Sequence, residues 1–186
     1  MMNPYMQETE KALVHTYNRF PVIFEKGEGV YLYDTEGKKY LDFAAGIAVC
    51  GLGYGNPELT AAVKEQTELL WHTSNLFYNA SCGTAAEALK KASGMDRVFF
   101  TNSGTEANEG MLKAARKYAW KKKTGRYEFI AMEGSFHGRS MGALSVTEHE
   151  AYRTPFEPLI PGIRFAEFNQ LDSVKALINE KTCAII

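Results

Sequence analysis

Apolar positions follow two different rhythms along this chain. Over residues 3–18, Met6, Leu13, Val14 and Tyr17 recur on one side of a helical repeat, which predicts a helix. Short β-favouring runs follow at residues 22–24, 30–33 and 40–43, separated by Lys26-Gly27-Glu28-Gly29 and Asp34-Thr35-Glu36-Gly37. Runs of that length broken by glycine-bearing turns predict a small meander. A helix is expected from Pro57 to about Leu70, with proline in its first turn, and another over residues 82–92. Beyond residue 95 short apolar runs at 97–101, 129–132 and 183–186 alternate with helical patterns at 104–123 and 171–179. Strand and helix in alternation predict an α/β fold whose sheet is mostly parallel. The expected division is a small N-terminal α+β segment, residues 1–50, and the first part of a larger domain, residues 51–186, with the boundary within 45–60. The apolar run at the C-terminal end has no turn after it, which predicts that the natural polypeptide continues and that this domain is incomplete.

Composition narrows the class of protein. The 186 residues are 45% hydrophobic and 23% charged, as in an ordinary soluble globular chain. A net charge of -1 gives no general electrostatic reason to expect nucleic acid or an anionic membrane as partner. No apolar run approaches the roughly 18 residues that a membrane helix needs. The polar, acidic N-terminus does not read as a secretory signal. Cys50, Cys82 and Cys183 are odd in number and far apart, which predicts buried free thiols and a cytoplasmic location. His15, His72, His137 and His149 lack metal-ligand spacing, so no metal site is expected.

Two segments could carry chemistry. In Thr101-Asn102-Ser103-Gly104-Thr105-Glu106, an apolar run passes through a small polar turn directly into a helix. The first N–H groups of that helix lack partners within it, and their partial positive charge favours an anion by about 0.3–1 kcal/mol. Gly104 allows close approach, and Ser103 and Thr105 add hydroxyls, which is the build of a phosphate cradle. A plain helix cap at Asn102 or Ser103 is the competing reading. The second segment, Glu133-Gly134-Ser135-Phe136-His137-Gly138-Arg139-Ser140, leaves the C-terminal end of a strand, the edge where parallel sheets bind ligands. Phe136 could lie flat on a heteroaromatic ring. Arg139 could hold a carboxylate through its planar fork, or be a surface charge. Gly51-Leu52-Gly53-Tyr54-Gly55-Asn56-Pro57 resembles a nucleotide loop only superficially. Its third glycine comes one residue early and no Walker lysine follows, so it reads as a turn into the next helix.

Taken together, the segments resemble the class III, fold-type I aminotransferases. The resemblance runs through Gly27–Phe43, Gly46-Ile47-Ala48-Val49, the Gly51–Pro57 loop and Trp71-His72-Thr73-Ser74-Asn75. It is most specific at residues 102–109 and at Phe136-His137-Gly138-Arg139. It implies a pyridoxal 5'-phosphate enzyme in which Ser103, Gly104 and Thr105 hold the phosphate and Phe136 stacks on the pyridine ring. Arg139 would hold a substrate carboxylate, and Tyr17 would touch substrate. Ile47, where ornithine enzymes tend to carry tyrosine, favours the acetylornithine branch of arginine biosynthesis. The implied substrates are N-acetylornithine and 2-oxoglutarate or glutamate, handled by a homodimer. Ornithine, succinylornithine and 4-aminobutyrate transaminases are the neighbouring alternatives, beside a non-catalytic fragment or a nucleotide-binding module. The family's Schiff-base lysine and the acid facing the pyridine nitrogen are expected beyond residue 186. The 186-residue chain is therefore expected to be inactive by itself.

Overall fold

A computed structural model describes residues 3–186. The chain divides into two compact units, the first reaching Asn79 and the second running Ala80–Ile186.

The first unit opens with α1 (Pro4–Ala12), capped by the Asn3 side chain with proline directly after it. This helix is shorter than the expected 3–18. Leu13 is already extended, and Leu13 and Val14 are exposed, so they bury little that would stabilise a longer helix. Glu10 instead draws the following segment back, pairing with His15 at 3.1 Å and Arg19 at 3.0 Å.

The meander forms from β1 (Phe24–Glu28), β2 (Tyr31–Asp34) and β3 (Lys39–Leu41), antiparallel in the order β1-β2-β3. Lys26, Gly27 and Glu28 lie within β1 rather than in the expected turn, which shifts to Gly29 at φ 56°. The reason lies in the loop that follows: Gly29 and Tyr54 exchange backbone hydrogen bonds of 2.9 and 2.8 Å. The Tyr54 ring fills the space where a Cβ on Gly27 would sit. The glycine-rich loop thus leads into a helix, as expected, and also staples itself to the meander. Between them lies α2 (Ala45–Ala48), a single turn whose residues all have positive φ, including Ala45, Ile47 and Ala48. Then α3 (Pro57–Leu69) starts on an Asn56 cap.

The Tyr54 hydroxyl also donates to Asp42 at 2.6 Å, and the N–H groups of Ala44 and Ala45 donate to the same carboxylate. The Tyr54 hydroxyl first, then the Ala45 N–H, hold the Asp42 carboxyl below its ordinary range, against a smaller upward push from desolvation.

The second unit begins with α4 (Ala80–Ser93), followed after an extended stretch by α5 (Gly104–Lys121) and β4 (Glu128–Met132). Next come two short helices, α6 (Met141–Ser145) and α7 (Glu150–Arg153), then β5 (Ile163–Ala166), α8 (Leu171–Leu177) and β6 (Thr182–Ile185). The sheet is parallel in the order β5-β4-β6. Central β4 is buried on both faces: Phe129, Ile130 and Ala131 are at most 1% exposed. Phe129 and Ala131 pack with Leu112 of α5 and with Val146.

Three expectations fail, two in this unit and the third in both. Residues 97–101 form no strand, because no described residue pairs with them in a ladder. Residues 163–166, not singled out in the sequence, do form one. The cysteines are not buried: Cys82 is exposed, Cys50 and Cys183 are half-buried, and none forms a disulfide among the described residues. Among those residues no helix is long and apolar enough to cross a membrane.

Two outcomes test these features. Phe129→Ala should cost about 3–5 kcal/mol in urea denaturation, since it empties the middle of the core; a cost below about 1 kcal/mol would contradict the packing. A carboxyl with a lowered folded-state pKa contributes stability above its unfolded pKa and loses it as pH falls through the folded one. Exchange protection at the Gly29 and Tyr54 amides should therefore fall on acidification below about pH 4. Tyr54→Phe should flatten that dependence, and an unchanged profile would contradict the staple.

Candidate active site

The first residues of α5 and the loop after β4 come together in the second unit, and a row of polar side chains joins them. Thr105, Asn108 and Glu109 stand at helical spacing on one side of α5. The Thr105 hydroxyl accepts from the Arg139 N–H at 3.3 Å. Asn108 Nδ2 donates to the His137 carbonyl at 2.6 Å. Glu109 Oε1 accepts from the Ser140 hydroxyl at 2.5 Å and from the Gly142 N–H at 3.0 Å.

Gly138 makes this approach possible. A Cβ there would lie 2.4 Å from the Thr105 hydroxyl oxygen, and its φ of +138° is one that side chains disfavour. The loop's other flank is tied inward. The His137 N–H donates to Thr147 Oγ1 at 3.0 Å, and that hydroxyl, fully buried, donates to the Ala143 carbonyl. Burial pushes the His137 imidazole below its ordinary pKa, so it is neutral near pH 7 and adds no positive charge to the site.

The start of α5 is a capped helix as well as an open one. Ser103 is the cap, its hydroxyl accepting from the Glu106 N–H at 3.2 Å. Glu106 reaches back to accept from the Asn102 N–H at 2.6 Å, a near capping box. The S-x-x-E spacing of Ser103 and Glu106 is a sequence signal for this cap. With those groups engaged, the N–H groups of Gly104 and Thr105 have no protein acceptor among the described residues. A Cβ on Gly104 would meet open space, so the glycine leaves that approach clear. Phe136 is 58% exposed, and the Arg139 guanidinium stands 5.5 Å from its ring centroid. Ser103, Gly104, Thr105, Phe136 and Arg139 thus belong to one cluster. Tyr17, 55% exposed, belongs to the first unit, on the segment after α1.

Residues 13–186 match the class-III aminotransferase family. The chain belongs to that family. Its curated relatives include the acetylornithine aminotransferases of Archaeoglobus fulgidus, 47% identical over 98% of this chain and 47% of the relative, and of Aquifex aeolicus, 49% identical over 94% and 46%. Among solved structures, an ornithine aminotransferase from Toxoplasma gondii aligns with a TM-score of 0.91 at 28% identity, covering 97% of this chain and 44% of that one. The N-acetylornithine aminotransferase of Stenotrophomonas maltophilia aligns at 0.73 with 39% identity, covering 92% and 42%. The fold is therefore that of a fold-type I aminotransferase, and the chain spans less than half the length of the relatives it matches. Class-III aminotransferases are pyridoxal-phosphate transaminases, and a second structure of the Toxoplasma enzyme carries that cofactor at partial occupancy. The residues present here fit its phosphate end and one ring face: two open helix-start amides, flanking hydroxyls and a largely exposed phenyl ring.

Gly138→Ala should force the loop away from Thr105. The expected result is faster amide exchange at Arg139 and a measurable loss of thermal stability. Unchanged exchange at Arg139 would contradict the contact.

Proposed function

We propose that this chain supplies the phosphate cradle, ring-stacking face and carboxylate clamp of a transaminase that moves the δ-amino group of N-acetylornithine to 2-oxoglutarate, in arginine biosynthesis. The observation that carries this reading is the Thr105 hydroxyl receiving the Arg139 N–H. It sets an anion-favouring helix start beside an arginine suited to a carboxylate. The bound cofactor supplies an electron sink for breaking bonds at the amine-bearing carbon.

The protein's own part is orientation. The Gly104 and Thr105 N–H groups, with the hydroxyls of Ser103 and Thr105, would hold the phosphate. Phe136 would cover one face of the ring. Arg139 would fix a carboxylate by two parallel hydrogen bonds, so that the substrate's amino end meets the ring in a single orientation. Tyr17 is proposed to touch substrate, on the family resemblance.

The cofactor-anchoring lysine and the acid opposite the pyridine nitrogen are proposed to come from residues outside these 186. Every lysine of the second unit is exposed except Lys90, which pairs with Glu87 at 3.0 Å, so none sits in the sheltered apolar pocket that an amine nucleophile uses. The 186-residue chain alone is accordingly proposed to be inactive.

Surface area supports a need for further protein contacts. The chain exposes 14878 Å². Two separate compact bodies of these sizes would expose roughly 10,800 Å² in total. We assign the difference to a second half and to a homodimer partner. Among the described residues the three cysteines form no disulfide, which supports a cytoplasmic location. The sequence relatives favour acetylornithine, whereas the higher structural likeness to an ornithine aminotransferase makes ornithine the second reading.

In the complete enzyme, Arg139→Ala should raise KM for the amino donor about 10- to 150-fold, the loss of one charge-assisted contact, while cofactor content stays constant. Equal loss of cofactor would contradict the assigned role. Comparing kcat/KM for N-acetylornithine and ornithine tests the substrate, and a preference for ornithine would select the second reading. Turnover by the purified 186-residue chain would refute the proposed inactivity.

A further inference from the structure

We infer that Glu109 is a positioning residue for Arg139, acting through a single carboxylate oxygen; this rests on the reading of Arg139 as the substrate-carboxylate clamp. Glu109 sits one helical turn further into α5 than Thr105, away from the open amides and beside the loop carrying Arg139. Its Oε1 accepts two hydrogen bonds, from the Ser140 hydroxyl directly after the arginine and from the Gly142 N–H two residues further on. Ser140 is also the cap of α6, its hydroxyl accepting from the Ala143 N–H at 3.3 Å. One oxygen therefore fixes both the end of the loop and the start of the next helix.

The space beside Gly142 is occupied by the same carboxylate. A Cβ on Gly142 would lie 2.4–2.7 Å from the Glu109 carboxylate atoms, and Gly142 is buried. Glycine thus leaves open the space through which Glu109 reaches its partners, and no positive φ calls for it there. Upstream, Thr105 and Asn108 hold the backbone at Arg139 and His137. Without Glu109 the loop would be tied to α5 on one side of Arg139 only, and the guanidinium would lose its fixed direction. Both bonds accept at one oxygen, so an amide oxygen can replace it. Glutamine should therefore preserve the arrangement, whereas alanine should not.

The test compares Glu109→Ala, Glu109→Gln, Ser140→Ala and Arg139→Ala in the holoenzyme. The readouts are KM and kcat for the amino donor, bound pyridoxal phosphate by absorbance, and hydrogen exchange of the peptide covering residues 137–142. Glu109→Ala should raise KM about tenfold, speed exchange in that peptide and leave cofactor content unchanged, the scale expected for one lost charged contact. Glu109→Gln should restore KM to within about twofold, since it keeps the acceptor oxygen. Should Glu109→Ala not fold, Ser140→Ala must show the same signature in smaller measure. The inference is overturned by an unchanged KM and exchange in the variant read, by cofactor loss in step with KM, or by glutamine behaving like alanine. Arg139→Ala separates the two levels. If it leaves KM unchanged, the clamp reading itself fails; if it raises KM while Glu109→Ala does not, only the positioning role fails.

Discussion

The docking of one side of α5 onto the loop after β4 is the constraint on which the candidate site depends. Thr105, Asn108 and Glu109 meet Arg139, His137, Ser140 and Gly142 through four hydrogen bonds, each of which uses a backbone or hydroxyl group of the loop or of the first turn of α6. A loop leaving a parallel sheet has no ladder to hold it. Here the helix supplies the missing partners, and the helix is itself fixed by Leu112 against Phe129 and Ala131. Core packing thus sets the position of α5, α5 sets the loop, and the loop sets Arg139. Two glycines permit the chain of contacts, Gly138 by admitting Thr105 and Gly142 by admitting Glu109.

Much of this was legible in the sequence, for physical reasons that differ by residue. Gly104 and Ser103 were readable because a helix start needs a cap and leaves amides open, whatever the tertiary context. Phe136 and Arg139 were readable because the loop leaves a buried apolar strand at the end where ligands bind. Glu109 was not: a glutamate on a helix is ordinarily a solvated charge, and only the approach of Ser140 and Gly142 gives it partners. The Glu106 side of the capping box was readable from its spacing alone.

The departures in the fold have a common cause. Residues 97–101 have the composition of a strand, but a strand requires a neighbour to share its hydrogen bonds, and composition carries no information about the neighbour. The β1 turn moved to Gly29 because Tyr54, 25 positions later, takes up that backbone. The N-terminal helix stopped at Ala12, where Leu13 turns extended and Leu13 and Val14 are left exposed rather than in a core. In each case the local pattern was present, and a distant partner, found or missing, decided the outcome.

The account is tested most directly by a crystal structure of the complete holoenzyme with pyridoxal phosphate bound. It predicts phosphate oxygens within about 3.2 Å of the Gly104 and Thr105 nitrogens, with Phe136 lying parallel to the pyridine ring. A phosphate bound elsewhere, with those two amides facing solvent, would contradict it.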